Sequence, residues 1–432
     1  MSTPESVRLG QKPWFIAVVA GMASYLDAAT IVSSGNALVM YQEPLGLTGD
    51  QIGILSAALT LGIAVGAVVG GRLGDRFGRK PVFSVTMAAI AVAMACNVFA
   101  PGFELLLVGA IIGGLATGAD LPVSIATVAE AASDENRGKL VSFSQVLWML
   151  GIIGPLALVS VIGDLGRMGG QIIFAHVGVI AIIVLLARLP LPESSVWLKA
   201  RDERAHGIHT ERAEHVSIRD LLRVPYLVPF VCLLIFYPLV NLAANTGGQF
   251  GTYLWVNTAG ASVEFAARVA LVMTIVGFGL AVLFLRIVDS RWRMPVFYLG
   301  AVCYVLSTLI PALLGVSITT LLVWQTLGAI GGAFAFEAIL KVWTQESFPT
   351  LLRSTAQGTI ICVARVLAAA LALVTPRLAA IGPQVLFLVL TVLIAIGMAA
   401  AIFAFHKGSR NEFAIEGGEV EHGGYAKPTP RP

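Results

Sequence analysis

Charged side chains occur within otherwise apolar stretches of the sequence, and five of them could do chemistry there: Asp27, Asp120, Glu337, Lys341 and Arg365. A charge in hydrocarbon is costly unless it faces a partner or a water-filled cavity. A partly desolvated carboxylate can accept a proton near neutral pH. A guanidinium can hold a carboxylate or phosphate through two parallel N–H bonds. These residue types therefore indicate the movement of protons and the binding of a small polar solute within a membrane.

The composition supports a membrane protein. The chain has 432 residues, of which 57% are hydrophobic and 12% are charged, whereas a soluble domain carries about 25% charged residues. The net charge of +3 is too small to indicate a nucleic-acid partner. The four cysteines stand singly and show no zinc-binding spacing, so we expect neither a metal nor a cofactor.

Twelve apolar runs are long enough to cross a bilayer and must position these charges. They cover 14–40, 52–70, 82–100, 105–127, 141–162, 171–189, 225–246, 266–288, 295–315, 318–344, 356–378 and 383–405. A charged insertion follows the sixth run. The sequence therefore predicts a six-helix bundle over 1–198, a cytoplasmic linker over 199–223, a second bundle over 224–406 and a disordered tail over 407–432.

The Lys and Arg residues predict the orientation. If both termini are cytoplasmic, 24 of the 28 basic residues lie in inner loops and tails, and only Arg167, Arg268 and Arg377 lie outside. The positive-inside rule thus favours a multi-pass protein of the inner (plasma) membrane with cytoplasmic termini.

The two halves repeat one another in their loops. The first repeat joins Asp75, Arg79 and Pro81 to Asp289, Arg293 and Pro295, and the second joins Glu130 and Arg137 to Glu346 and Arg353. Parallel repeats of this kind are typical of a transporter with its site between the halves. The alternative is that Arg-rich membrane turns converge without any common origin.

The loops also carry a family resemblance. The stretch 70–81, GGRLGDRFGRKP, resembles the signature between helices two and three of the major facilitator superfamily. PESSVWL at 192–198 and ESFPTLLRSTAQG at 346–358 resemble loops of its sugar and metabolite porters, as does Glu130 with Arg137 and Gly138. The resemblance implies an all-α fold of twelve membrane helices in two pseudo-symmetric six-helix bundles, working by alternating access.

The resemblance also implies gating roles for these loops. Asp75 would latch the inner side together with Arg76 and Arg79, and Asp289 with Arg293 would form a second copy. The remaining gating candidates from the loops are Glu130, Arg137, Glu346 and Arg353. Glu337 and Lys341 are four residues apart on one helix face, so we expect an ion pair that closes the inner gate. Alternatively, Lys341 extends to the membrane interface without a gating role.

Asp27 and Asp120 are the proton-coupling candidates. Asp27 lies near the middle of the first span, and sugar symporters are similar in placing a proton-carrying Asp there. Their partner Arg in helix four is absent from this sequence, and a bond from Asp27 to nearby polar side chains is the structural alternative. Asp120 lies in GADLPVS, which resembles a proton-coupling segment of metabolite symporters. Its alternatives are to cap a helix opened at Pro122 or to pair with Arg137 and Lys139.

The substrate-binding candidates offer amides, an indole and one cation. They are Gln145, Trp148, Asn241, Asn245 and Arg365. Amides bond hydroxyls, and an indole stacks on a ring. Arg365 could hold a substrate anion or neutralise Asp27, Asp120 or Glu337 across the cavity.

The sequence thus predicts a transporter, not an enzyme, that takes up a small polar metabolite together with protons. Sugar or polyol and organic acid remain rival substrates. A facilitative uniporter and a proton-driven efflux antiporter remain alternative functions, and a non-transporting sensor of the same fold is a third. The expected partners are the substrate, protons and the lipid bilayer, with no nucleic acid, and the expected state is a monomer.

Overall fold

The computed structural model describes residues 13–131, 137–193, 198, 221–288, 290–348 and 350–406. The long helices are α1 (Pro13–Gln42), α2 (Gly49–Phe77), α3 (Arg79–Val98), α4 (Phe103–Ala131), α5 (Arg137–Ile162), α6 (Arg167–Arg188), α7 (Leu227–Ala259), α8 (Val263–Ile287), α9 (Arg293–Leu314), α10a (Ile318–Phe334), α10b (Glu337–Ser347), α11 (Thr350–Ile381) and α12 (Pro383–Phe405). With α10a and α10b taken as one span, twelve segments of the described chain are long and apolar enough to cross a membrane. The predicted fold class is confirmed.

The charged stretch 70–81 is mostly helical, which differs from the predicted loop. Helix α2 continues to Phe77 and α3 begins at Arg79, so Gly78 alone forms the turn. Gly78 has φ of 102°, a conformation that only glycine adopts readily. Glu193 holds the start of α3 by accepting hydrogen bonds from the backbone N–H groups of Arg79 and Lys80, at 2.9 and 3.2 Å. Glu193 of the PESSVWL stretch therefore caps a helix of its own half.

Three helices differ from their predicted course. The tenth span is broken at Ala335 and Phe336, where the backbone leaves helical geometry and α10b starts anew at Glu337. Helix α7 runs on to Ala259, well past the predicted end at 246. Helix α4 passes through Pro122 without interruption, so the helix opening expected there is wrong.

The helices pack as two bundles, α1–α6 and α7–α12, which meet chiefly through three helix pairs: α1 with α7, α2 with α11, and α5 with α8. The second and third pairs are equivalent in the internal repeat, because α8 is the counterpart of α2 and α11 is the counterpart of α5. Within the first bundle, glycines bring α2 and α4 into backbone contact. A Cβ on Gly66 would lie 2.3 Å from the Leu115 carbonyl oxygen, and one on Gly118 would lie 2.1 Å from that of Ile63. Small residues allow this approach in membrane helices.

We expect Gly70→Ala to lower the free energy of unfolding by about 1–3 kcal/mol, the usual cost of overpacking. The added methyl carbon would lie 2.3 Å from the Ala119 Cα, which is backbone and cannot rotate away. The neighbouring Gly71→Ala is the matched control, because a Cβ added at Gly71 would meet no atom within 4 Å. Thermal unfolding of the purified variants measures the difference. Equal midpoints for the two variants would contradict close α2–α4 packing.

Candidate functional site

Asp27 lies about 21 Å along α1 from its first residue, at about 1.5 Å per residue, and its side chain is 1% exposed. The indole Nε1 of Trp148, on α5, donates a long hydrogen bond of 3.4 Å to Asp27 Oδ2. Asp27 Oδ1 is buried and has no hydrogen-bond partner among the described residues. The carboxyl group thus has one oxygen free to hold a proton or to accept a bond from a solute.

The opposite half supplies the charges that act on Asp27. Arg365 on α11 attracts its carboxylate and Glu337 at the start of α10b repels it. The same two charges act on Tyr237 of α7. A carboxylate of one bundle and a cation of the other therefore influence each other across the interface between the halves. Among the described residues, however, Arg365 forms no ion pair within 4 Å with Asp27 or Glu337, and Asp120 is paired with Arg188, so the pairing of Arg365 stays a prediction.

The predicted substrate residues lie on helices that border this charge pair. Gln145 and Trp148 are three residues apart and share one face of α5, with Gln145 exposed and Trp148 half-buried. On α7, Asn241 and Asn245 are likewise one turn apart. The Asn241 Oδ1 is buried without a partner among the described residues, and Asn245 Oδ1 accepts a bond from Gln249.

Asp120 lies in a separate and fully bonded cluster. Arg188, at the end of α6, donates a hydrogen bond to each carboxylate oxygen of Asp120. The distances are 2.6 Å from Nη1 to Oδ1 and 3.1 Å from Nη2 to Oδ2. Thr86 and Ser124 donate the remaining bonds at 2.8 and 3.1 Å. Both charged side chains are 1% exposed. The structure therefore favours the ion-pair alternative for Asp120, with a partner that the sequence analysis did not identify.

Arg188 also ties α1 to this cluster. Its guanidinium donates to the backbone carbonyls of Val19 and Ala20, at 3.3 and 3.1 Å. The ring of Phe83 lies 4.7 Å from its Cζ, a cation–π distance. One buried cation thus joins α1, α3, α4 and α6.

The repeated loop residues form two equivalent ion pairs. Both pairs lie at the same end of the molecule as Gly78, and we call this end the basic end. Arg79 Nη2 lies 2.9 Å from Glu130 Oε1, and Arg293 Nη1 lies 2.9 Å from Glu346 Oε2. Each pair stays within one half. Since the two pairs occupy repeated sequence positions, the internal repeat extends to side-chain geometry.

The remaining gating candidates that the structure describes are more exposed. Lys341 Nζ lies 3.1 Å from Glu337 Oε1, as the i,i+4 spacing predicts, but both side chains are more than 40% exposed. Arg76 is exposed and its Cζ lies 5.2 Å from the ring of Phe77. The following lie outside the described side chains: Asp75, Arg137, Asp289 and Arg353.

Polar contacts join the two halves at the opposite end of the bundle, and we call this set the opposite-end gate. Arg377 of α11 donates two bonds to Asp50 of α2, at 2.7 and 3.1 Å. The side-chain amides of Gln42 and Asn257 bond each other reciprocally at 3.2 Å.

A second layer of the gate lies deeper. Thr252 donates to Asn36 Oδ1 at 2.7 Å, and Gln249 donates to Thr60 Oγ1 at 2.6 Å. The backbones also touch here, since a Cβ on Gly35 would lie 2.6 Å from the Gln249 carbonyl oxygen. The halves are therefore closed together at this end.

The twelve spans, the repeated loops and the charged site between two bundles define a transporter, and comparison with known proteins gives its family. A family model described as Major Facilitator Superfamily matches residues 14–373, so the chain belongs to the Major Facilitator Superfamily. It is a multi-pass membrane transporter of the sugar or metabolite type, and it is not an enzyme. The predicted family is confirmed.

Particular relatives are informative. The chain is 33% identical to the "Minor myo-inositol transporter IolF" of Bacillus subtilis (strain 168), over 81% of this chain and 80% of that protein. It is 24% identical to the "Putative niacin/nicotinamide transporter NiaP" of the same strain, over 81% and 84%. Its fold is similar to the crystal structure of a D-xylose-proton symporter, with a TM-score of 0.72 at 20% identity over 90% of this chain and 96% of that one.

Proposed function

We propose that this protein takes up a small polyhydroxylated metabolite together with protons, and that Asp27 carries the proton. The supporting observation is the environment of Asp27: it is buried, has one unpartnered oxygen among the described residues and interacts with Arg365 of the opposite half. Protonation of Asp27 removes the long-range attraction between its carboxylate and Arg365, and this change can bias the positions of the two bundles. We give Asp120 a structural role in this proposal, because both of its oxygens are already bonded to Arg188.

We base the substrate class on the uncharged candidate residues of α5 and α7, of which Trp148 bonds to Asp27. Gln145, Trp148, Asn241 and Asn245 supply donors, acceptors and a ring face, which suit a hydroxylated ring. A relative of the chain is named as a myo-inositol transporter and a structural neighbour as a xylose-proton symporter. We therefore favour a cyclic polyol or sugar.

A ring-bearing organic acid is the second candidate. The Arg365 guanidinium makes no hydrogen bond or ion pair to the described residues within 4 Å, and its side chain is partly exposed. A substrate carboxylate would satisfy this cation through two parallel bonds. A relative named as a niacin/nicotinamide transporter agrees with this alternative.

The orientation follows from the distribution of basic residues. We place the basic end in the cytoplasm and the protein in the inner membrane. Because the opposite-end gate is closed, the interface between the halves is shut on the outer side in this orientation. Alternating access then requires the opposite-end gate to open while the basic end closes.

Uptake into proteoliposomes tests the proposal. The panel contains myo-inositol, xylose and nicotinate, each with the outside acidic, with the lumen acidic and without a pH gradient. Proton symport predicts accumulation only when the outside is acidic. Accumulation with an acidic lumen would indicate an antiporter, and equilibration unaffected by the gradient would indicate a uniporter.

Variants of Arg365 separate the two substrate classes. If the substrate is an organic acid, Arg365→Ala should raise the substrate concentration that gives half-maximal uptake by about 10- to 100-fold. This is the effect of losing a hydrogen bond from a charged group. Arg365→Lys keeps the charge but loses the two-pronged geometry, so it should recover part of the affinity. For a neutral polyol we expect the half-saturating concentration to change by less than about fivefold. If Arg365→Ala lowers the apparent affinity for acids and polyols by the same large factor, Arg365 does not recognise a substrate carboxylate directly.

A further inference from the structure

Gln249 is a buried amide that connects the substrate-binding face of α7 to the opposite-end gate. It lies one turn beyond Asn245 and two turns beyond Asn241, so the three amides share one helix face. Its side chain is 4% exposed. The predicted seventh span ended at 246, which placed Gln249 outside the membrane and outside the candidate set.

The hydrogen bonds of Gln249 fix the orientation of its amide. Nε2 donates to Thr60 Oγ1 at 2.6 Å and to Asn245 Oδ1 at 3.1 Å. The hydroxyl hydrogen of Thr60 is already used, because Thr60 Oγ1 donates to the Ser56 carbonyl at 2.9 Å. Thr60 can therefore only accept, and Gln249 must present nitrogen to it.

The other amide atom, Gln249 Oε1, is buried and has no donor among the described residues. A buried acceptor without a donor is unfavourable, so this oxygen is suited to a donor that is not part of the chain. Because Asn245 is adjacent, a hydroxyl of a solute bound to α7 is a suitable donor.

We propose that Gln249 is a specificity-determining residue with two roles. Its Oε1 accepts a hydrogen bond from one substrate hydroxyl, and its Nε2 holds the opposite-end gate closed through Thr60 of the other half. One side chain then responds both to the occupant of the site and to the state of the gate. The first role rests on the proposed uptake of a hydroxylated substrate, whereas the second needs no substrate.

The gate role is tested without substrate by a distance measurement in lipid nanodiscs. Spin labels replace Glu43 and Leu314, which lie at the opposite end in different halves and are exposed, in a full chain whose four cysteines are Ser. Thr60→Val and Gln249→Leu should each raise the population with a longer label distance by about fivefold, the effect of losing one hydrogen bond. Unchanged distances in both variants would overturn the gate role.

Thr391→Val is the matched control. Thr391 is buried and donates to Thr308 Oγ1 at 2.9 Å, but both residues belong to the second half. Its loss removes a similar bond without crossing the interface, so the distances should not change. A shift equal to that of Thr60→Val would mean that any lost hydroxyl loosens the gate, and the specific role would be refuted.

The recognition role is tested with deoxy analogues of the transported polyol, each lacking one hydroxyl, as competitors of uptake. In the unchanged protein one analogue should bind about tenfold more weakly than the parent polyol. Gln249→Leu should abolish this difference, and Thr60→Val should preserve it. If Gln249→Leu ranks the analogues as the unchanged protein does, Oε1 binds water and the recognition role is wrong. If no polyol is transported, the proposed function and the recognition role fail together, while the distance measurement still decides the gate role.

Discussion

Asp27→Asn is expected to abolish proton-driven accumulation while retaining exchange of substrate across the membrane. An inward gradient of one pH unit supports up to about tenfold accumulation for one proton per substrate, since tenfold corresponds to about 1.4 kcal/mol. An amide cannot carry the proton, so uptake should stop at equal concentrations inside and outside. Asn also keeps an oxygen for the Trp148 indole, and binding should therefore persist.

The measurement compares accumulation with counterflow exchange in the same proteoliposomes. Asp50→Asn is the control, because Asp50 is also a carboxylate facing an arginine of the other half but lies at the exposed end of α2. It should retain gradient-driven accumulation. Full accumulation by Asp27→Asn would exclude Asp27 as the proton carrier.

Asp120→Ala should lower the free energy of unfolding by about 3–5 kcal/mol, which is the cost of leaving a buried cation without its partner. Arg188 is 1% exposed, and its other hydrogen bonds among the described residues go to uncharged oxygens. The double variant Asp120→Ala with Arg188→Met removes the unmatched charge, so it should recover much of the loss.

Thermal unfolding of the purified proteins measures this difference. Asp50→Asn is the control, because its ion pair with Arg377 is equally short at 2.7 Å but its two side chains are 49% and 66% exposed, and exposed pairs contribute about 0–1 kcal/mol. If Asp120→Ala is no less stable than Asp50→Asn, the buried cluster does not hold the first bundle together.

The sequence predicted the membrane spans and Asp27 for the same physical reason. Long apolar runs exclude charges, so both the runs and the few charges within them are visible without a structure. The repeated loops were visible as well, because Arg79 and Arg293 stand at corresponding places in charged turns. Their ion pairs to Glu130 and Glu346 then follow from the common fold.

Other features depend on contacts that spacing does not reveal. Arg188 stands at the end of a span, where a basic residue is ordinary, and its bond to Asp120 joins residues 68 positions apart. The break in the tenth span falls at Ala335 and Phe336, which carry no sequence signal such as Pro or Gly. Conversely, Pro122 predicted an opening that the packing of α4 does not produce. Gln249 was missed because the predicted seventh span ended at 246, whereas α7 continues to Ala259.

The polar character of the opposite-end gate has a consequence for how easily the gate can be biased. The exposed pair of Asp50 with Arg377 contributes about 0–1 kcal/mol, and each amide or hydroxyl bond contributes about 0.5–1.5 kcal/mol. When the gate opens, water can take the place of each of these partners. The polar bonds therefore add little to the free energy that separates the closed and open states, and the gain or loss of a single bond is enough to shift that balance.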